Sequence, residues 1–156
     1  MRREEFTLET RHIETAAGAE TAPLPTLRLL YEGEPSELRS VFEGVDGTPL
    51  AASDLDVSLR LKDPIDAAEP DGVLAVTNRL TGDFLCELNV SATVVLDFLA
   101  ATKRRGSAVD GPAKYRLRLL ADGSPIRTDE LDTFLVYTTD GDLRESESLL
   151  PSSVQL

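Results

Sequence analysis

The chain has 156 residues and a formal net charge of −12, with 41% hydrophobic and 28% charged residues. That length suits one domain with one core, and the composition excludes wholesale disorder and collagen-like or disulfide-dense scaffolds. A lone cysteine, Cys86, cannot form an internal disulfide, and no apolar run reaches the ~18–20 residues of a membrane helix.

The charge is skewed as well as large, with three lysines against thirteen arginines. Where salt shortens the Debye length to ~3 Å, repulsion among surface carboxylates is screened, and compact acids replace the long apolar stem of lysine. Such a composition is expected of a cytoplasmic protein in a salt-accumulating cell. It also disfavours nucleic-acid binding, which rests on clustered cations. The opening Met1-Arg2-Arg3-Glu4-Glu5-Phe6 lacks the apolar stretch of a secretory signal, so no membrane association is expected.

In chain order, residues 6–10 read as a short strand and residues 15–25, small, acidic and proline-bearing, as a loop. The run Thr26–Tyr31 places Leu27, Leu29 and Tyr31 on one face of a strand, and residues 36–42 carry a weaker helix or turn signal. Residues 55–62 alternate without a fault. Residues 64–70 form a second loop, and residues 72–77 a short strand. Further on, Phe84, Cys86 and Leu88 share what reads as an inward face. The credible helix lies at about residues 91–105: Ser91 as N-cap, Val94, Val95, Phe98 and Leu99 as one stripe, Lys103, Arg104 and Arg105 in the last turn, and Gly106 at a left-handed C′ position. The strand from Tyr115 then sends Arg116 and Arg118 to solvent. Residues 133–137, apolar on both faces, suit a strand in mid-sheet or one covered on both sides. Asp-Gly pairs at Asp46-Gly47, Asp71-Gly72, Asp122-Gly123 and Asp140-Gly141 read as turns. The last two join the Tyr115 strand to a segment around Ile126, and the Phe134 strand to Leu143-Arg144-Glu145.

Many short strands and Asp-Gly turns with one helical crossover predict a mainly β fold: a single antiparallel β-sandwich over residues 1–156, immunoglobulin-like, with one α-helix. Tyr115, entering its strand after Gly111-Pro112, suggests a tyrosine corner, with its hydroxyl bonded to upstream backbone.

Three stretches, Gly82-Asp83-Phe84-Leu85-Cys86-Glu87-Leu88-Asn89, Thr133-Phe134-Leu135-Val136-Tyr137 and Met1-Arg2-Arg3-Glu4-Glu5-Phe6-Thr7-Leu8, resemble a family of uncharacterised haloarchaeal proteins, over the chain from its start through Ser152. These are strand and turn sequences. The resemblance therefore implies a halophilic, cytoplasmic protein and transfers no catalytic residue.

Chemistry-bearing groups are sparse. His12 and Cys86 are the only pair from which a nucleophilic dyad could be built, and the inward place of Cys86 argues against it. One Cys and one His cannot supply an ordinary zinc site, and no phosphate-cradling glycine motif is present. Carboxylates two apart, Asp54 with Asp56, Asp140 with Asp142 and Glu145 with Glu147, would share a face in a strand and could serve a cation or acid/base chemistry. In so acidic a chain such pairs are expected by composition alone. The expectation is thus a non-catalytic interaction or structural module with a protein partner, no catalytic residue, no cofactor and no assigned metal ligand. The alternative is a carboxylate-based small-ligand or cation-binding protein or enzyme, using Asp54, Asp56, Asp140 or Asp142.

Overall fold

The computed structural model describes residues 5–12, 24–108 and 113–150. In chain order these form β1 (Phe6–Arg11), β2 (Thr26–Tyr31), α1 (Pro35–Val41), a short 3-10 turn (Ala52–Asp54), β3 (Leu55–Leu61), β4 (Asp71–Asn78), β5 (Phe84–Ser91), α2 (Ala92–Ala108), β6 (Tyr115–Ala121), β7 (Ser124–Leu131) and β8 (Leu135–Tyr137). The 15–25 loop falls largely outside the described residues, as do Gly111 and Pro112.

The period-2 stretches become strands because alternation presents one apolar face for burial. In β3, Leu55, Val57, Leu59 and Leu61 are all buried, and in β2 so are Leu27, Leu29 and Tyr31. Two four-stranded sheets result, ordered β1-β2-β6-β7 and β5-β4-β3-β8. Their apolar faces and the helices feed one continuous core, giving a sandwich-like arrangement. Asp122 and Gly123, both with positive φ (48° and 78°), close the β6–β7 hairpin, as that dipeptide does in tight turns. Asp46-Gly47 and Asp140-Gly141 also turn the chain, each beneath a single antiparallel bridge, Glu43 with Pro49 and Tyr137 with Leu143.

Several expectations are corrected. The sheets are mixed rather than antiparallel: β2 runs parallel to β6 and β3 parallel to β8. Alternation fixes which face a residue takes, but it does not say which strand lies alongside. Residues 133–137 contain only the short β8, at the edge of sheet two. The segment that follows lies alongside them, bridging Phe134 to Leu149 and Tyr137 to Leu143, and only Phe134 and Val136 are buried, so one face alone meets the core.

Among the described residues there are two α-helices, not one, the first being α1, opened by Pro35 with Leu38 buried. α2 buries Val95, Phe98, Leu99 and Ala101 but leaves Val94 exposed. It also runs through Gly106, where a Cβ would come within 2.9 Å of the Ala113 Cα; close approach, not a cap, requires glycine there. Asp71-Gly72 likewise makes no turn. It lies within β4, where a Cβ on Gly72 would stand 2.7 Å from Leu59 Cδ1 and 2.9 Å from the Arg60 carbonyl oxygen.

Phe84 does not share the inward face of Cys86 and Leu88. Thr77 pairs with Phe84 and Val76 with Cys86, so Leu85 is an extra residue, and a bulge resets alternation by one place. Leu85 is buried and Phe84 turns outward.

Candidate functional site: a charged cleft beside an apolar hairpin tip

Tyr115 anchors this end of the molecule. Its ring is fully buried, edge-on to Phe98 (5.6 Å between centroids, 87°) and to Phe134 (6.0 Å, 60°). The hydroxyl donates to the Thr133 carbonyl oxygen at 2.7 Å. That partner lies downstream, so the contact is not the expected tyrosine corner. It fastens β6 to the stretch leading into β8. Burial pushes the phenol well above its ordinary value, and the carboxylates of Asp132 and Asp56 push the same way while Arg79 opposes.

Above this anchor opens a cleft of about 380 Å³ lined by Ser53, Arg79, Lys114, Glu130, Asp132 and Thr133, among others. Arg79, in the β4–β5 turn, reaches across to Asp56 with both Nε (2.9 Å) and Nη2 (2.8 Å). Its backbone N–H donates to the Asp54 carbonyl oxygen at 2.7 Å. The Asp56 side chain, a candidate with Asp54 only under the carboxylate alternative, is committed to this guanidinium. Asp54 accepts from the Ala51 N–H at 3.1 Å, closing the 3-10 turn. These two carboxylates share a neighbourhood but not a ligand position.

The other sequence candidates separate further. Asp140 and Asp142 are exposed in the turn after β8, where the Asp142 N–H donates to the Thr138 hydroxyl. Glu147 is held below the usual carboxylate range, chiefly by its hydrogen bond from Arg144 (2.9 Å to Nη2), while Glu145 is exposed. Among the described residues no group of three or more His, Cys, Asp or Glu could hold a metal ion. His12 is exposed at the end of β1, and Cys86 is sealed in the core with its thiol pushed up to about 12 by burial, so the dyad has neither a shared surface nor a ready thiolate. Lys103, at the expected helix terminus, donates to the Ser146 carbonyl oxygen and ties α2 to the C-terminal stretch.

Sequence reasoning missed the hairpin tip. Leu80, within the Arg79 turn, is 73% exposed and Phe84, just after it, 64%. The register sets Asp56, Thr77 and Phe84 in one row across the outer face of sheet two. An apolar residue inside the turn sequence Asn78-Arg79-Leu80-Thr81-Gly82 was the available signal, since turns ordinarily carry small polar residues there.

One family model matches residues 1–156, a family of unknown function (DUF5793). No curated protein and no solved structure matches the chain.

Proposed function

For this chain, which belongs to the DUF5793 family of unknown function, we propose a role as a non-catalytic interaction module that receives a protein partner at the β4–β5 hairpin tip. The observation that carries this reading is the outward placement of Leu80 and Phe84 beside Arg79. An apolar anchor that a partner can bury, next to an arginine, is the composition of interface hot spots. The bulge supports it as well, because in an unbroken alternation, with Leu85 facing outward, Phe84 would share the inward face of Cys86. The scaffold is read as a divergent immunoglobulin-like sandwich, supported by two four-stranded sheets around one core. The setting is read as the cytoplasm of a haloarchaeal cell, supported by the acid excess and scarce lysine.

Affinity capture in molar KCl, comparing the natural chain with Leu80→Asp/Phe84→Asp, tests the module. Proteins retained by the first and lost by the second support it; identical captures end it. Melts in low and molar KCl test the setting. Salt should raise Tm by about 3 °C or more, corresponding to roughly 1 kcal/mol for a chain of this length. An equal or lower Tm in salt removes the halophile reading.

The cleft favours a second reading, a small charged ligand, because Lys114, Glu130 and Asp132 converge on about 380 Å³ above a buried phenol. Under it, zwitterionic solutes raise Tm in the natural chain and fail to do so in Asp132→Asn.

A further inference from the structure

The outer face of sheet one gathers arginines in a strongly acidic protein. On β2 and β6 arginine alternates with leucine, so Arg28, Arg116 and Arg118 leave the core on one side. The register places them in two adjacent rows: Glu9, Arg28, Arg118 and Thr128 in one, and Arg11, Thr26, Arg116 and Glu130 in the other. Four cations thus meet two carboxylates there, while the whole chain carries −12.

Neighbouring strands lie about 4.8 Å apart, so Arg28 and Arg118, directly opposed, form a like-charge pair that opposes folding. The acids answer only part of it. Glu9 Oε1 accepts from Arg11 Nη2 (2.7 Å) and Arg28 Nη1 (2.8 Å), and Arg116 reaches Glu130 at 3.8 Å. Arg118 has no such acceptor among the described residues. The Nε atoms of both Arg28 and Arg118 are shut away from water without a partner. Because those Nε atoms are shut in, it is the outer guanidinium nitrogens that face a partner, in a row that sets two arginines against one carboxylate.

We propose that this face docks an acidic polypeptide segment of another protein, whose carboxylates pair with Arg28 and Arg118. A planar guanidinium fork matches a carboxylate with two parallel hydrogen bonds, and all four cations here are arginine rather than lysine. Nucleic acid fits less well, since Glu9 and Glu130 bound the face on both sides and the rest of the acidic molecule repels a continuous phosphate track. The face is on the other sheet from the hairpin tip and does not depend on that reading.

Fluorescence anisotropy with a labelled oligoglutamate peptide, in low and molar KCl, tests the proposal. The natural chain should bind with salt-sensitive affinity, Arg28→Gln/Arg118→Gln should bind at least about tenfold more weakly, and Arg60→Gln on sheet two should match the natural chain. Circular dichroism checks that the variants fold. If the double variant does not, Arg118→Lys takes its place and should weaken binding by losing the fork while keeping the charge. Absence of peptide binding, equal binding by the arginine variants, tighter binding of a DNA duplex than of the peptide, or sedimentation showing a dimer that the arginine variants dissolve would each overturn it.

Discussion

Tyr115 and Phe84 each open a strand on an aromatic ring, β6 and β5 respectively, with apolar residues two and four places further on. Tyr115 is fully buried between Phe98 and Phe134, whereas Phe84 stands 64% exposed. The difference is made by one residue. β6 keeps its register beside β7 from Tyr115 through Leu119, while β5 takes in Leu85 as a bulge directly after Phe84. Alternation counts residues faithfully only where every residue has one partner. The buried aromatic end is therefore read as what holds the molecule together, and the outward one as what it offers to others.

Four substitutions or probes sharpen this contrast. Phe98→Ala removes the ring that meets Tyr115 edge-on at a position with no exposure, and should cost about 3–5 kcal/mol in denaturant melts. A cost below about 1 kcal/mol would mean that the aromatic cluster is not the centre of the core.

Cys86 lies in β5 two residues beyond Phe84 and on the opposite side of the bulge's effect. Its labelling by a thiol reagent should be slow in the folded protein and accelerate on unfolding. Burial raises the folded thiol from 9.0 to about 12, so the unfolded chain loses its proton first. The stabilisation from keeping this thiol neutral is accordingly complete below about pH 9 and declines as pH rises towards 12. Fast native labelling, or stability that climbs over that range, would contradict a sealed thiol.

Tyr115→Phe keeps the ring and strands the Thr133 carbonyl, and should cost about 1–2 kcal/mol. A change within about ±0.5 kcal/mol would show the hydroxyl contact to be dispensable. At the other pole, Phe84→Ser should change stability by no more than about 0.5 kcal/mol, because the ring it deletes already faces water. A loss of several kcal/mol would place Phe84 in the core after all.

The strands were legible because most of them are half buried: β2, β3 and β6 bury every second residue and show it. What escaped is non-local. No local pattern tells Leu27 that its neighbour will be Leu117, and so the parallel pairings and the edge position of β8 were not readable. Gly72 misled for a different reason, since a glycine needed for room beside Leu59 looks in sequence like a glycine needed for a turn. Of the candidate site, the carboxylates were visible, but Arg79, the residue that engages Asp56, was hidden by lying in another strand's turn. The arginines of sheet one were visible singly as outward residues of β6. Their convergence required the partnership of β2 with β6.

That same partnership sets an order of events. Sheet two begins as a meander in which β3 pairs with β4 and β4 with β5, each the next strand along the chain, whereas β2 must wait about ninety residues for β6. Contacts between near neighbours close small loops and form early, while a pairing that spans most of the chain meets its entropic cost before any of its contacts return stability. During synthesis the β1–β2 hairpin therefore emerges with one edge of β2 unpaired, and it stays so until α2 has been made and β6 follows. Over that interval the leucines of β2 lack their permanent neighbour, and the arginine at its centre, Arg28, keeps the waiting edge charged and discourages it from joining another chain.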